Sequence, residues 1–515
     1  MDSQRDISIG RQLLEELDRQ TKLASKRIYE LDNVTPLDTI PLPQGCQLWL
    51  KREDQSRIHS YKWRGSFNKI SQMVGSGFSG TMVAASAGNH AQGVAISARK
   101  MKLPATIFMP LSTPQLKQDS VRQFGGDFVD IRLVGDTFDE SYFAAKQFAE
   151  SNGGEIIPPY DDLIVIAGQS TIGTELTEQL KSDPTHIFLE VGGGGMASGV
   201  AAVMHRHYPD AQLFCVEASE QNCMGQSLKA ERPVTLTSVD KFCDGTAVSR
   251  PGQIPFDICR QLIPVENCLT VTNEQVCEAI QYLWQTKRTI VEPSAGIGVA
   301  AAMNFELGAD DVPVTILSGA NVDFMTLPTI ARKGLATRPE TRYFAFEIAE
   351  QSGSLISLLD NFLADMNIID FQYGKNSLDV ATPVIGVELP QSKLSQLEQL
   401  LSSSNLPPHR EVTGTAAADF RVIPFNIERI TYPFFAVIEF PNRPGALREF
   451  MRIASDLASV CYMNYTDTGQ TEGQALMGFE FQNIADQTRF LDWLPGYTQF
   501  DVVPIEHVRN FQSNP

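Results

Sequence analysis

From Leu48 to about residue 325 the chain repeats one local pattern: an apolar run of strand length, a joint of small residues, then a segment with helical spacing. Leu48-Trp49-Leu50-Lys51-Arg52 enters the loop Glu53-Asp54, and Val83-Ala84-Ala85 runs through Ser86-Ala87-Gly88-Asn89-His90 into a helical stretch from Ala91 to Ala98. Ala105 to Met109 reads as a strand, Gln115 to Phe124 as a helix and Phe128 to Leu133 as a strand again. Ile187 to Val191 passes through four consecutive glycines, Gly192 to Gly195, into Met196-Ala197-Ser198-Gly199. Strands that alternate with helices are joined by crossovers, and crossovers join parallel strands. The pattern therefore predicts an α/β architecture with largely parallel sheets. Ahead of it, residues 8 to 30 carry Ile9, Leu13, Leu14, Leu17 and Leu23 near helical spacing, an amphipathic helix that Thr35-Pro36-Leu37 brings to an end.

The joints carry the chemistry. The first amides of a helix have no internal partner, and the helix dipole favours an anion beside them. The loop Ser86 to His90 thus suits a carboxylate, and the glycine run suits a phosphate. A third joint, Ile316-Leu317-Ser318-Gly319-Ala320-Asn321, places a serine hydroxyl at a strand end. In Ser60-Tyr61-Lys62-Trp63-Arg64-Gly65-Ser66 a lysine sits among aromatic and small residues. Partial desolvation lowers an amine's pKa, and a neutral amine condenses with an aldehyde. Taken singly, each has a plain alternative: a solvated lysine, a mobile glycine turn, a turn serine. A dinucleotide-binding enzyme also competes, because Gly192-x-Gly194-x-x-Ala197 approximates that fingerprint and Glu217 ends the next apolar run, where a ribose-binding acid belongs. That reading leaves Lys62 and the Asn89 loop without a role.

A net charge of -19 argues against nucleic acid or an anionic membrane as partner. The chain's 515 residues suggest about three domains. Cys46, Cys215, Cys223, Cys243, Cys259, Cys268, Cys277 and Cys461 are scattered without a Cys-x-x-Cys pair, which suggests reduced thiols in a cytoplasmic protein and no zinc site. The start, Met1-Asp2-Ser3-Gln4-Arg5-Asp6, lacks the apolar core of a signal peptide, and no apolar run is long enough to span a membrane.

Ser-x-Lys-x-Arg-Gly, Ser-Ala-Gly-Asn-His, the tetraglycine loop and Ser-Gly-Ala-Asn together resemble, in order and spacing, the fold-type II pyridoxal-phosphate enzymes, and most of all the biosynthetic threonine deaminases. The resemblance runs from about residue 8 to 515. It implies two parallel-sheet α/β subdomains over residues 1–330, with Lys62 holding pyridoxal 5'-phosphate and serving as the catalytic base. Asn89 would bond the cofactor's 3'-oxygen, Gly192, Gly193, Gly194, Gly195 and Met196 would cradle its phosphate, and Ser318 would face its ring nitrogen as a neutral partner, giving a weak electron sink and little transamination. Ser86, Ala87, Gly88, Asn89 and His90 would take the substrate carboxylate. The implied reaction is deamination of L-threonine, and of L-serine, to 2-oxobutyrate (pyruvate) and ammonia. Tyr61, Trp63 and Met196 depart from the family's usual residues, and Tyr61 and Trp63 are expected to reshape the pocket. Ala87 stands where the related serine racemases carry a second serine, so racemisation should be poor. Gln221 and Cys223 replace further ligands near Glu217, so no metal is expected.

Past Asn321 the alternation stops. Residues 331–340 read as a polar, turn-rich linker, and beyond it the chain repeats itself. The segment from Phe346-Glu347 through Gly353-Ser354-Leu355 to Tyr373 is similar to that from Ile438-Glu439 through Gly445-Ala446-Leu447 to Tyr465, at one constant offset. Two ferredoxin-like α+β modules are expected, over 341–412 and 431–508, with a spacer at 413–430. They resemble the paired ACT-like regulatory domains of long-form threonine deaminases. That resemblance implies feedback inhibition by isoleucine, end product of the pathway that threonine deamination begins, with valine a second candidate effector, and a homotetramer. Two modules that only hold an oligomer together are the alternative.

Overall fold

The computed structural model of the chain describes residues 2–336, 341–362, 366–389, 394–402, 406–413, 415, 418, 423–441, 446–466, 472–505 and 508. Two compact units divide it, Met1–Gly334 and Leu335–Pro515. In the first, β1 (Leu37–Pro41) and β2 (Gln47–Lys51) form an antiparallel hairpin. Next, β3 (Met82–Ala85), β4 (Ala105–Met109), β5 (Val129–Leu133) and β6 (Glu155–Ile156) make a separate parallel sheet in the order β5-β4-β3-β6. The chain then returns to the hairpin. There β7 (His186–Glu190), β8 (Gln212–Ala218), β9 (Cys268–Val271) and β10 (Pro313–Ile316) complete a six-stranded sheet ordered β1-β2-β10-β7-β8-β9, parallel beyond the hairpin. The runs Met82–Ala85, Ala105–Met109, His186–Glu190 and Pro313–Ile316 are buried at every residue, as strands covered on both faces must be.

The first helix covers Asp2–Arg27, longer at its start than the apolar spacing predicted, and buries Leu17 and Ala24 against Ile166, Ala167 and Ile258. The expected turn-rich linker over 331–340 is helical up to its sixth residue, in helix Leu327–Ala336. Tertiary contacts outweigh its polar composition there: Ile330 is buried, the Gln281 amide donates to the carbonyls of Ile330 and Ala331, and Lys333 pairs with Glu274 at 2.8 Å. Residues 337–340 lie outside the described set.

In the second unit each repeat has the β-α-β-β-α-β order. The first comprises β11 (Thr341–Phe346), helix Ser354–Phe362, β13 (Asn367–Gly374), β15 (Val384–Glu388), helix Leu394–Leu401 and β16 (His409–Glu411), with β12 (Ile348–Ala349) and β14 (Val380–Ala381) pairing beside it. The second comprises β17 (Phe434–Pro441), helix Ala446–Ala454, β18 (Ser459–Thr466), β19 (Glu472–Glu480), helix Ile484–Trp493 and β20 (Phe500–Val503). Helix Ala446–Ala454 and β18 begin the same number of residues after helix Ser354–Phe362 and β13, so the offset seen in the sequence is a structural repeat. The two repeats share one eight-stranded antiparallel sheet, ordered β16-β11-β15-β13-β18-β19-β17-β20, and one core. Their junction pairs Phe371 with Tyr465 and Tyr373 with Met463, a self-complementary register about Gln372 and Asn464. Gly445 of the second Gly-Ala-Leu turn lies outside the described residues.

Candidate active site

The carboxyl ends of the strands in the first unit open on one cavity of about 450 Å³. Lys62, Ser86, Ala87, Gly88, Asn89, His90, Gly192, Gly193, Gly194, Gly195, Met196 and Ser318 all line it. The structure thus brings together every residue that the pyridoxal-phosphate resemblance assigns to cofactor or substrate, whereas Glu217 does not line the cavity.

Lys62 opens helix Lys62–Gly75. Its amine donates to the Pro159 carbonyl at 3.3 Å and stands 4.9 Å from the centre of the Tyr61 ring. Burial lowers its pKa to about 8, against the charge of Glu292, which favours the ammonium. What fixes the helix below Lys62 is a buried ion network. Arg64 donates to Glu53 at 2.8 Å and to Glu175 at 2.6 Å, and Lys51 meets Glu175 at 2.5 Å. The following glycine is a packing requirement, since a Cβ on Gly65 would stand 2.8 Å from the Val165 carbonyl oxygen.

Helix Asn89–Met101, behind the Ser86–Gly88 loop, and helix Gly195–His207, behind the glycine loop, both begin at the cavity with no side chain capping them. Gly194 adopts φ +89°, a conformation that favours glycine, and a Cβ on Gly193 would stand 2.3 Å from the Tyr160 ring. The unit therefore offers two separate sets of free amides for anions, and a primary amine beside them. A ligand with a phosphate and an aldehyde fits that donor set, as pyridoxal phosphate requires.

Several side chains are committed differently from expectation. The Asn89 amide donates to both oxygens of Glu292 (2.8 and 3.0 Å) and accepts from Asn321 at 2.7 Å. His90 donates through Nε2 to the Ile157 carbonyl at 2.7 Å, and burial next to Lys62 lowers its pKa to about 4, leaving a neutral, structurally occupied ring. Its backbone, rather than its imidazole, is what remains for a ligand. Trp63, expected to reshape the pocket, instead points into a core with Ile28, Leu31, Ile58 and Phe67; Tyr61 does line the cavity. Glu217, the candidate ribose-binding acid, accepts from the amides of Met224 and Gly225 at 2.8 Å each, which satisfies the start of helix Cys223–Lys229 and removes the dinucleotide reading's ribose partner. Gln221 donates to the Asp240 and Cys243 carbonyls, and the Cys223 thiol points to the Gly192 carbonyl.

Sequence reasoning missed the two buried acids of the cavity, Glu190 and Glu292. Burial raises Glu190 to about 8 and Glu292 to about 7. Each had a faint signal: an acid closing an otherwise apolar strand before the glycines, and an acid directly before Pro293 at the start of helix Pro293–Asn304.

Residues 28–319 match the family model described as "Pyridoxal-phosphate dependent enzyme", and residues 332–420 and 432–508 match the "C-terminal regulatory domain of Threonine dehydratase". The chain is 33% identical over 505 residues to the L-threonine dehydratase biosynthetic IlvA of Pasteurella multocida, covering 95% of this chain and 96% of that protein. It is 32% identical to the chloroplastic biosynthetic threonine dehydratase of Arabidopsis thaliana over 91% of this chain and 79% of that one. Among solved structures, the processed form of threonine deaminase isoform 2 from Solanum lycopersicum matches with 36% identity and a TM-score of 0.58, covering 62% of this chain and 88% of that one. Maize serine racemase matches with 27% identity and a TM-score of 0.56, covering 62% and 97%.

Proposed function

The chain belongs to the pyridoxal-phosphate-dependent enzymes and, within them, to the biosynthetic threonine dehydratases, and we propose that its cavity residues divide the work as follows. The reaction is deamination of L-threonine, with L-serine as a second substrate. Pyridoxal phosphate, when bound, supplies an electron sink for the pair left at the substrate α-carbon. Lys62 holds it and, once released by the incoming amino acid, its amine takes the α-proton; a pKa near 8 keeps a useful fraction neutral at physiological pH. The uncapped start of helix Asn89–Met101 and the Ser86–Gly88 loop bind the substrate carboxylate and orient the Cα–H bond towards Lys62. The glycine loop and the first amides of helix Gly195–His207 hold the phosphate. Asn89, fixed by Glu292 and Asn321, would meet the cofactor's 3'-oxygen, and Ser318, which lines the same cavity, would face its ring nitrogen. Loss of the α-proton and the β-hydroxyl removes water, and the released enamine hydrolyses to 2-oxobutyrate and ammonia. Ala87 offers no proton on the opposite face, so inversion at the α-carbon is not served.

Residues 1–330 carry this chemistry, and the repeats at 341–412 and 431–508 regulate it. Their pocket beside Gly353-Ser354-Leu355 is lined by Ile348, Glu350, Leu355, Tyr373, Met451 and Glu480, drawn from both repeats. It offers carboxylates to an ammonium, the start of helix Ser354–Phe362 to a carboxylate, and apolar walls to a branched side chain, which suits isoleucine as inhibitor and valine as a second effector. A cytoplasmic homotetramer completes the reading; among the described residues no helix is long and apolar enough to cross a membrane.

The observation that carries the assignment of the site is a half-buried amine of lowered pKa facing two uncapped helix starts. Borohydride reduction of the purified protein tests it. The visible band should bleach and the cofactor should remain attached to the peptide that contains Lys62. A colourless protein, or label on another lysine, would sink the assignment.

A further inference from the structure

One cavity side chain has no part in the chemistry above. Glu190 closes β7, with Val191 between it and the glycine loop; it is 4% exposed, and neither of its carboxyl oxygens has a hydrogen-bond partner. The other buried acids of this unit are satisfied: Glu53 and Glu175 by Arg64, Asp54 by Arg52, Glu217 by backbone amides, Glu292 by Asn89. Leaving a buried carboxyl unmet costs about 1–3 kcal/mol. A group so placed, on the wall of a ligand cavity, is expected to meet its partner in the ligand. Burial raises its pKa to about 8, which the nearby Ser318 hydroxyl opposes and Glu292 reinforces. At neutral pH Glu190 is therefore chiefly the acid form, able to donate as well as accept.

Which ligand atom it meets follows from charge. The phosphate and the substrate carboxylate are anions already served by uncapped helix starts, so neither calls for a further carboxyl. Glu190 ends β7, and the parallel register of β7 with β10, Thr315 beside Phe188, brings it to the strand end from which Ser318 follows. Ser318 is the side chain whose hydroxyl acts on Glu190. In pyridoxal phosphate the ring nitrogen lies across the ring from the aldehyde carbon, so anchoring at Lys62 turns the nitrogen away from that amine.

We propose that Glu190, with Ser318, is the partner of the cofactor's ring nitrogen, giving it a proton: the carboxyl O–H bond breaks as the N–H bond forms, leaving a pyridinium beside a carboxylate. This rests on reading the cavity as the pyridoxal-phosphate site. It replaces the weak electron sink expected from a lone serine with a strong one, and makes Glu190 the residue that sets the cofactor's electronics.

The holoenzyme rebuilt with pyridoxal phosphate carrying ¹⁵N in the ring reads the nitrogen directly by NMR, independently of turnover. Wild type should show a protonated pyridine. Glu190→Gln, which keeps shape and removes the acid, should show the neutral signal, retain its visible absorbance and hold the cofactor about tenfold less tightly. Ser318→Ala should leave the nitrogen protonated. A neutral nitrogen in wild type overturns the proposal even if no variant folds, as does an unchanged signal in Glu190→Gln. Failure of wild type to take up the labelled cofactor overturns the site assignment instead, so the two failures are distinguishable.

Discussion

The two units bury different things. The first conceals Lys51, Arg52, Glu53, Asp54, Arg64, Glu175, Glu190, Glu217 and Glu292. In the second, Asp370 is the one charged side chain buried among the described residues, within a core of Phe344, Phe346, Phe371, Phe434, Phe450, Phe479 and their apolar neighbours. Desolvated charge is costly, and it is found where an amine must be neutral and an acid protonated at physiological pH. A core of non-directional apolar contacts tolerates small shifts in packing, which suits the two states that the proposed regulation requires.

If that contrast is right, the most severe single change lies in the first unit. Lys62→Ala should reduce ammonia release from threonine by at least about 10⁴-fold, since one amine serves as both anchor and base. Circular dichroism and a thermal melt should show an intact fold, because Lys62 has only one long hydrogen bond to a carbonyl. Appreciable turnover by a folded variant would break the link between desolvated charge and catalysis.

The next effect is on stability. Arg64→Met leaves Glu53 and Glu175 buried without their main partner, a loss of about 3–5 kcal/mol, visible as a lower urea midpoint for the first unit only. Its pH dependence separates charge from packing. Burial raises Glu175, but Arg64 and Lys51 outweigh it and bring its pKa to about 2, below the ordinary 4.5. The stability this provides is full above pH 4.5 and fades as pH falls towards 2. The gap between wild type and Arg64→Met should therefore narrow over that range. Phe371→Ala in the second unit should cost a similar amount, about 3–5 kcal/mol, with no such dependence. Parallel pH profiles for both would remove the distinction.

The same contrast explains what could be read from the chain. Apolar runs, small-residue joints and the constant offset between repeats are local signals, and they led to the parallel sheets, the cavity loops and the paired βαββαβ units. Glu190 and Glu292 were overlooked because an acid at a strand end or directly before a proline reads as a solvated turn; only the strands and helices packed around them remove the water. The Arg64 network joins β2, helix Lys62–Gly75 and helix Leu163–Gln179, and Glu175 lies 111 residues from Arg64 in the chain. Trp63 went the other way. Helical position turns its ring from the cavity that its neighbour lines. The repeat announced two α+β modules but not that their strands β13 and β18 pair with each other, since a strand's pattern records which face is covered and not who lies at its edge.

Ending the chain after Ala336 removes the second unit and keeps every cavity residue. Threonine turnover should persist while inhibition by isoleucine disappears. Allosteric coupling of about 1–3 kcal/mol corresponds to a 5- to 150-fold change in affinity, and that is the size of the effect to be lost. Sensitivity that survives truncation would place the sensor in the first unit. A full-length enzyme indifferent to isoleucine and valine alike would make the apolar unit an oligomer scaffold.

The smallest effect tests how far desolvation alone sets the chemistry of Lys62. Burial lowers this amine from 10.5 to about 8, while Glu292 pulls it upward. Only the neutral amine attacks an aldehyde, so the apoprotein should recapture pyridoxal phosphate faster as pH rises. With a pKa near 8 the neutral fraction is about one in ten at pH 7 and about nine in ten at pH 9. Stopped-flow absorbance should therefore show a rise of roughly tenfold over those two units and then a plateau. Glu292→Gln removes the charge that favours the ammonium, so the inflection should move to lower pH. An inflection near 10.5 would mean that water reaches the amine freely. The line between a unit built on desolvated charge and one built on apolar area would then not explain why the reaction occurs where it does.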